Sequence, residues 1–162
     1  MSIKVGEKLP VATLRVLSAD GPKPLTTSEV FSGKKVALFA VPGAFTPTCH
    51  QKHLPSFLGH IADFKKKGVD AIVCIAVNDP FVLGAWEDAS GAKGKVLFLS
   101  DGNADFTKKI GMDFDGSGFG LGTRSKRYSM LVENGVVKAM NVEDSPGVCE
   151  ITGGDKLLAA MP

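Results

Sequence analysis

Apolar positions along this chain switch between an alternating and a helical period, and each switch marks an element. Residues 1–33 are short segments punctuated by Pro and Gly, and alternation over Ala12 to Leu17 predicts an early β-hairpin. Lys35 to Val41 is short, apolar and bounded by Gly33 and Pro42, which predicts a buried strand. Helical spacing then runs from about Thr48 to Lys67 through Leu54, Phe57, Leu58, Ile61 and Phe64. Pro55 has no N–H to donate to Gln51, so a kink is expected there. Lys65, Lys66 and Lys67 followed by Gly68 read as a helix C-terminus, with cations on the negative dipole end and a residue suited to the left-handed cap.

Val69 to Val77 is nearly all apolar and β-branched, which predicts a central strand covered on both faces. Asp79 is placed to cap a helix whose first residue is Pro80 and which carries Phe81, Val82, Ala85 and Trp86, with Phe81 and Trp86 as core or interface residues. Lys95 to Leu99 reads as a strand, and a helix is expected from about Ala104 to Ile110. The glycine-rich stretch Asp115 to Gly122 reads as a loop. Arg127 to Val132 and Val136 to Met140 flank Asn134-Gly135, the strongest short hairpin signal. Lys156 to Met161 closes as a short helix. A hairpin, then alternating strands and helices, then a second hairpin and a helix predict an α/β fold: one mixed central sheet flanked by helices.

Composition narrows the function more than the fold. The 162 residues are most simply one domain, residues 1–162, able to bury roughly 70% of the unfolded chain's surface. A net charge of +2 gives no reason to invoke nucleic acid or an acidic membrane surface. No apolar run approaches the ~20 residues of a membrane span, and the first residues lack the apolar core of a secretory signal. Three cysteines do not make a paired disulfide framework, which points to a reducing compartment, the cytoplasm. An organelle stroma or matrix, after removal of a transit peptide, is the alternative. With no Gly-x-Gly-x-x-Gly or P-loop pattern, no nucleotide cofactor is implied.

The chemistry concentrates in Val41 to Cys49. A strand feeding a tight turn of Pro42, Gly43, Ala44, Phe45, Thr46 and Pro47 puts Cys49 in the first turn of a helix, at the carboxyl end of a strand. There, unpaired backbone N–H groups and the positive dipole end favour an anion. The thiolate is the reactive form of cysteine, so an activated sulfur nucleophile is expected. His53 lies four residues on, on the same helix side, as an orienting or packing residue. No second Cys/His pair at zinc spacing accompanies it, so no metal site is implied. His50 and His60 are expected at the surface.

Pro42 to Cys49 resembles the Pro-x-x-x-Thr-x-x-Cys site of the peroxiredoxins, and with Lys52-His53-Leu54-Pro55 it is similar to their type II, atypical two-cysteine branch. The similarity continues, in order, through Val77 to Val82, Gly120 to Tyr128 and Val137 to Glu143. It implies a thioredoxin-like fold with an N-terminal β-hairpin. It further implies a thiol-dependent peroxidase that reduces hydrogen peroxide and alkyl hydroperoxides through a sulfenic acid at Cys49. Carried over by position, Pro42, Thr46 and Arg124 complete the pocket of Cys49, with Arg124 supplying the permanent charge and donors to peroxide oxygens. Thr46 would bond the incoming peroxide, and Pro42 would shape the turn and exclude water. Arg127, beside Arg124, is a second cation able to approach the site.

How the sulfur is re-reduced is less determined. Some type II members pair the first cysteine with one at the spacing of Cys74, which here falls in the most apolar strand. Animal-type members place a resolving cysteine near Cys149, although this one falls about two residues short. The third route is an external thiol: glutaredoxin/glutathione or thioredoxin. By analogy with the family, a homodimer is expected. A redox sensor that passes oxidation of Cys49 to a partner is the competing reading, but it does not need the peroxide-orienting set. A dithiol oxidoreductase is disfavoured because Thr46 stands where Cys-x-x-Cys would need cysteine.

Overall fold

The computed structural model describes residues 2–162. Strands β1 (Thr13–Ser18) and β2 (Gly21–Thr26) form the expected N-terminal hairpin. A short helix, α1 (Thr27–Phe31), follows; Thr26 and Glu29 close a capping box over its first turn. Strand β3 (Lys35–Val41) matches the predicted run, and all of Val36 to Val41 is buried. Beyond the turn, the chain is helical from Pro47, passes through a π-helical turn (Cys49–His53) and continues as α2 (Leu54–Leu58). Then come α3 (Ile61–Lys66), β4 (Ala71–Ala76), α4 (Pro80–Ser90), β5 (Leu97–Ser100) and α5 (Asp105–Lys109). The chain ends with β6 (Asp113–Asp115), a 3₁₀ turn (Ser117–Phe119), β7 (Thr123–Ser125), β8 (Tyr128–Glu133), β9 (Val136–Val142) and α6 (Gly154–Ala160).

The main sheet has the order β2-β1-β5-β4-β3-β8-β9. Strands β3, β4 and β5 are parallel, and β8 runs antiparallel to β3 with Ala40 opposite Tyr128. This is the expected mixed sheet with helices on its faces, a thioredoxin-like arrangement. Because strand side chains alternate, each face has its own core. Ala37, Phe39 and Val41 pack with Cys49, Phe57, Phe64, Trp86 and Leu157 on one face. Val36, Leu38 and Ala40 pack with Phe31, Phe106, Tyr128 and Met130 on the other. Phe39, Phe57 and Phe64 stack with centroid spacings of 4.1 and 5.5 Å.

Three expectations change. The helix expected over 48–67 is not continuous: it turns π-helical at Cys49–His53 and breaks between Leu58 and Ile61. Pro55 is the physical cause of the first irregularity. It has no N–H to bond back along the helix, and the preceding Leu54 N–H reaches Cys49 O, five residues back. The stretch 115–122 is the expected loop apart from Asp115, the last residue of β6, and a 3₁₀ turn at its centre, but the loop is closed by β6 and β7, which pair on either side of it as a separate two-stranded sheet. Helix α1 also has no counterpart in the sequence reading. Elsewhere Asp79 caps α4 through Val82 N–H at 2.9 Å, and Asn134 and Gly135 take the positive φ values (48° and 78°) of the hairpin turn.

Helix α6 docks closely on α2. Gly154 N–H donates to Ser56 Oγ at 2.9 Å, and a Cβ on Gly154 would stand 2.5 Å from Ser56 O, a backbone atom that cannot move aside. Gly154→Ala is therefore expected to destabilise the fold by about 1 to 3 kcal/mol, read as a lowered denaturant midpoint. An unchanged midpoint would contradict a close α2–α6 contact at Gly154.

Candidate active site

The turn that delivers Cys49 is held from several sides. Pro42 and Gly43 are buried at the end of β3. Phe45 adopts φ 64°, which an aromatic residue takes only under constraint. The constraint comes from Ala44 N–H donating to Asn78 Oδ1 at 2.9 Å and Thr46 Oγ1 donating to Gly43 O at 2.7 Å. Pro47 then opens the helix, a position where its fixed φ and missing N–H carry no penalty. Cys49 lies in the first turn as expected, and its side chain is fully buried.

The cation on the sulfur is Arg127, not Arg124. Arg127 Nη2 donates to Cys49 Sγ at 3.0 Å, and Arg127 Nη1 lies 2.9 Å from His53 Nδ1. Nε and Nη2 also reach Pro146 O, at 3.3 and 3.0 Å. Arg127 is only 1% exposed, and among the described residues no carboxylate lies within ion-pair distance of it. Arg124 is instead committed elsewhere: Nη1 donates to Pro42 O at 3.1 Å and Nε to Leu121 O at 2.9 Å. Glycine at position 43 permits this approach, since a Cβ there would stand 2.6 Å from Arg124 Nη1. The expected charge beside the sulfur is thus present, but three residues further along the chain. The physical reason is register. Arg127 immediately precedes β8, where Ala40–Tyr128 pairing aligns it with the end of β3, whereas Arg124 lies on the separate β6–β7 pair.

His53 completes the arrangement. Its Nε2 stands 2.9 Å from Thr152 O, which only accepts, so the proton sits on Nε2 and Nδ1 accepts from Arg127. Burial first, and then the Arg127 charge, lower its pKa from 6.5 to about 3, so the ring is neutral near pH 7. The π-helical turn lets one guanidinium span the Cys49 sulfur and the His53 ring. Next to Cys49, His50 is half-buried rather than on the surface, and its Nδ1 accepts from Trp86 Nε1 at 3.0 Å. His60 does lie at the surface, 2.9 Å from Asp63. No group of three or more His, Cys, Asp or Glu suited to a metal ion occurs among the described residues.

All three cysteines are free thiols. Cys74 is fully buried in β4 opposite Phe39, in the same core as Cys49. Burial first, and then the neighbouring Cys49, push its thiol far above the ordinary range. Cys149 is half-buried, 3.7 Å from Thr152 Oγ1, and burial raises its thiol as well. Neither is poised as a thiolate.

The buried neutral imidazole carries a pH signature. An unfolded chain protonates His53 near 6.5, whereas the folded protein does so only near 3. Between those values the unfolded chain binds more protons, so His53 makes stability fall as pH drops from about 6.5 toward about 3. His53→Gln is expected to flatten that decline in denaturant midpoints measured between pH 7 and pH 4. Parallel slopes in the two proteins would contradict a neutral buried His53.

Comparison with known proteins agrees with this geometry. The Redoxin family model matches residues 4–158. Peroxiredoxin-2E, chloroplastic, of Arabidopsis thaliana is 47% identical over 98% of this chain and 69% of its own length. Hybrid peroxiredoxin hyPrx5 of Haemophilus influenzae is 45% identical over 91% of this chain and 61% of its own. The crystal structure of reduced Prx3 from Vibrio vulnificus in complex with hydrogen peroxide superposes with a TM-score of 0.92. It is 47% identical and covers 98% of each chain. A cysteine at a helix start, a Pro/Thr turn before it and a family match over nearly the whole length converge on one conclusion: this chain belongs to the type II peroxiredoxins, thiol peroxidases of the thioredoxin-like superfamily.

Proposed function

We propose that Cys49 is the peroxidatic thiol and that Arg127 is the cation that activates it. The observation that carries this reading is a guanidinium 1% exposed, without a carboxylate partner among the described residues, donating to the Cys49 sulfur at 3.0 Å. A buried cation needs a counter-charge, and a Cys49 thiolate is the group placed to provide it. The sulfur attacks the terminal oxygen of a hydroperoxide: an S–O bond forms, the O–O bond breaks, and the leaving oxygen departs as water or alcohol after protonation. Cys49 is left as a sulfenic acid. Thr46 spends its own proton on Gly43 O, so toward the peroxide it presents acceptor lone pairs. Arg124, bonded to Pro42 O, holds the Pro42–Thr46 turn in shape.

For the return step we propose an external thiol, glutaredoxin/glutathione or thioredoxin. It condenses with the sulfenic acid to a mixed disulfide and water, and a second thiol then releases Cys49. This choice follows from Cys74 being buried in a central strand and from burial holding both other thiols in the protonated form. The whole chain would act as one domain. It would also act as a homodimer, for which Phe45, Phe81 and Phe119 supply exposed aromatic surface (48%, 61% and 85%). Relatives named chloroplastic and mitochondrial support the organelle alternative over the cytoplasmic reading.

Cys49→Ser is expected to abolish peroxide turnover. Arg127→Lys is expected to lower the second-order rate with hydrogen peroxide by about 100-fold, with a smaller loss for Arg124→Lys, in stopped-flow measurements with excess reductant. The reverse order of the two arginines would return the activating role to Arg124. Intact-mass analysis after a single equivalent of peroxide is expected to show one added oxygen on Cys49. A Cys49–Cys74 or Cys49–Cys149 bridge would exclude the external route as the first step.

A further inference from the structure

Beyond their bond to each other and the Arg127 bond to the Cys49 sulfur, Arg127 and His53 are held by two carbonyls of one irregular segment, Pro146 O and Thr152 O. The segment from Asp144 to Gly153 has no strand or helix of its own to fix those carbonyls. Most of its anchoring hydrogen bonds converge instead on a single carboxylate oxygen. Glu143 Oε2 accepts from Glu150 N–H at 2.9 Å, Ile151 N–H at 2.8 Å, Thr152 N–H at 2.8 Å and Thr152 Oγ1 at 2.7 Å. Three successive backbone donors converging on one oxygen form an anion-binding nest whose anion the chain itself supplies. Glu143 is only 7% exposed and follows directly on β9, where its own N–H donates to Arg127 O at 3.0 Å. One residue thus ties down both the Arg127 backbone and the segment that grips its guanidinium. A further tie runs from Thr48 Oγ1 to Gly147 O at 2.8 Å, one residue before Cys49.

We propose that Glu143 is a positioning residue for the peroxide reaction, acting on Cys49 through the Pro146–Thr152 segment and Arg127. This rests on the reading of Cys49 as the attacking thiol. Glu143 makes no ion pair with Arg127, so its influence travels through the placement of Pro146 O and Thr152 O. Burial alone would raise the carboxyl's pKa, but the Thr152 hydroxyl and the Ile151, Thr152 and Glu150 amides outweigh it and hold the group below the usual range. The oxygen is therefore an ionised acceptor near pH 7. With the clamp released, the carbonyls drift, the guanidinium follows them, and the hydrogen bond to sulfur loses its fixed direction.

The test pairs Glu143→Gln, which keeps the shape but not the charge, with Thr152→Val, which removes only the hydroxyl donor. The second-order rate of Cys49 oxidation by hydrogen peroxide is measured for each, together with amide exchange at Glu150, Ile151 and Thr152. Glu143→Gln is expected to slow oxidation about 10-fold, as loss of a charged hydrogen-bond acceptor does, and to speed exchange at the three amides. Thr152→Val is expected to do the same more weakly, and it decides the matter if Glu143→Gln does not fold. In an Arg127→Lys background the Glu143→Gln change is expected to have less than a twofold further effect, because the path through the guanidinium is already broken. An equal loss in both backgrounds, or loosened amides with an unchanged rate, would overturn the proposal. Failure of the underlying reading has a different signature: Cys49→Ser would retain turnover whatever Glu143 does.

Discussion

One buried guanidinium organises this molecule. Removing a cation from water is costly unless fixed dipoles or an opposite charge replace the solvent. Arg127 has the Pro146 carbonyl, the His53 Nδ1 lone pair and the Cys49 sulfur, and among the described residues no carboxylate. A carboxylate in contact would satisfy the charge permanently and leave the sulfur nothing to offer. Neutral acceptors satisfy the N–H groups while leaving the net charge available. The neutrality of His53 is part of the same logic, since a protonated imidazole would compete for the position and repel the guanidinium.

The topology explains why those groups meet. Strand β8 runs antiparallel to β3, so the residue entering β8 stands beside the residue leaving β3. The chain leaving β3 makes the 42–46 turn and starts the helix at Pro47, which returns Cys49 over the same corner. Strand parity then does the sorting. Phe39, Ser129 and Leu131 point to the face where Cys49 is buried, whereas Leu38, Tyr128 and Met130 point away. Arg127 shares the parity of Ser129 and Leu131 and therefore enters the corner.

Much of this was legible in the residues alone, and the gaps have identifiable causes. Strand β3, the first-turn position of Cys49, the Asp79 cap and the Asn134-Gly135 hairpin each rest on local chemistry, which a sequence states directly. The choice between Arg124 and Arg127 does not. Both are basic residues near a predicted strand start, and only the pairing of β8 with β3 against the separate β6–β7 ladder distinguishes them. Alternation from Leu131 back through Ser129 was the available clue, but parity alone does not say which face holds the cysteine. The π-helical turn was half visible, because Pro55 announced an irregularity without revealing its form. Glu143 was visible only as part of a similar block, since its four donors lie in a segment with no pattern of its own.

The dependence on carbonyls has a consequence for variation among relatives of this chain. Every amino acid brings the same carbonyl oxygen, so the identities of Pro146 and Thr152 matter less to Arg127 and His53 than the route the backbone takes between them. That route is set by length: it starts where Glu143 leaves β9 and ends where Gly154 meets Ser56. Substitutions along it that spare the Thr152 hydroxyl leave the oxygens in place, whereas one residue gained or lost shifts all of them against a fixed guanidinium. The segment is thus free in spelling and strict in count, and an alignment of such chains that opens a gap here marks a site held together in some other way.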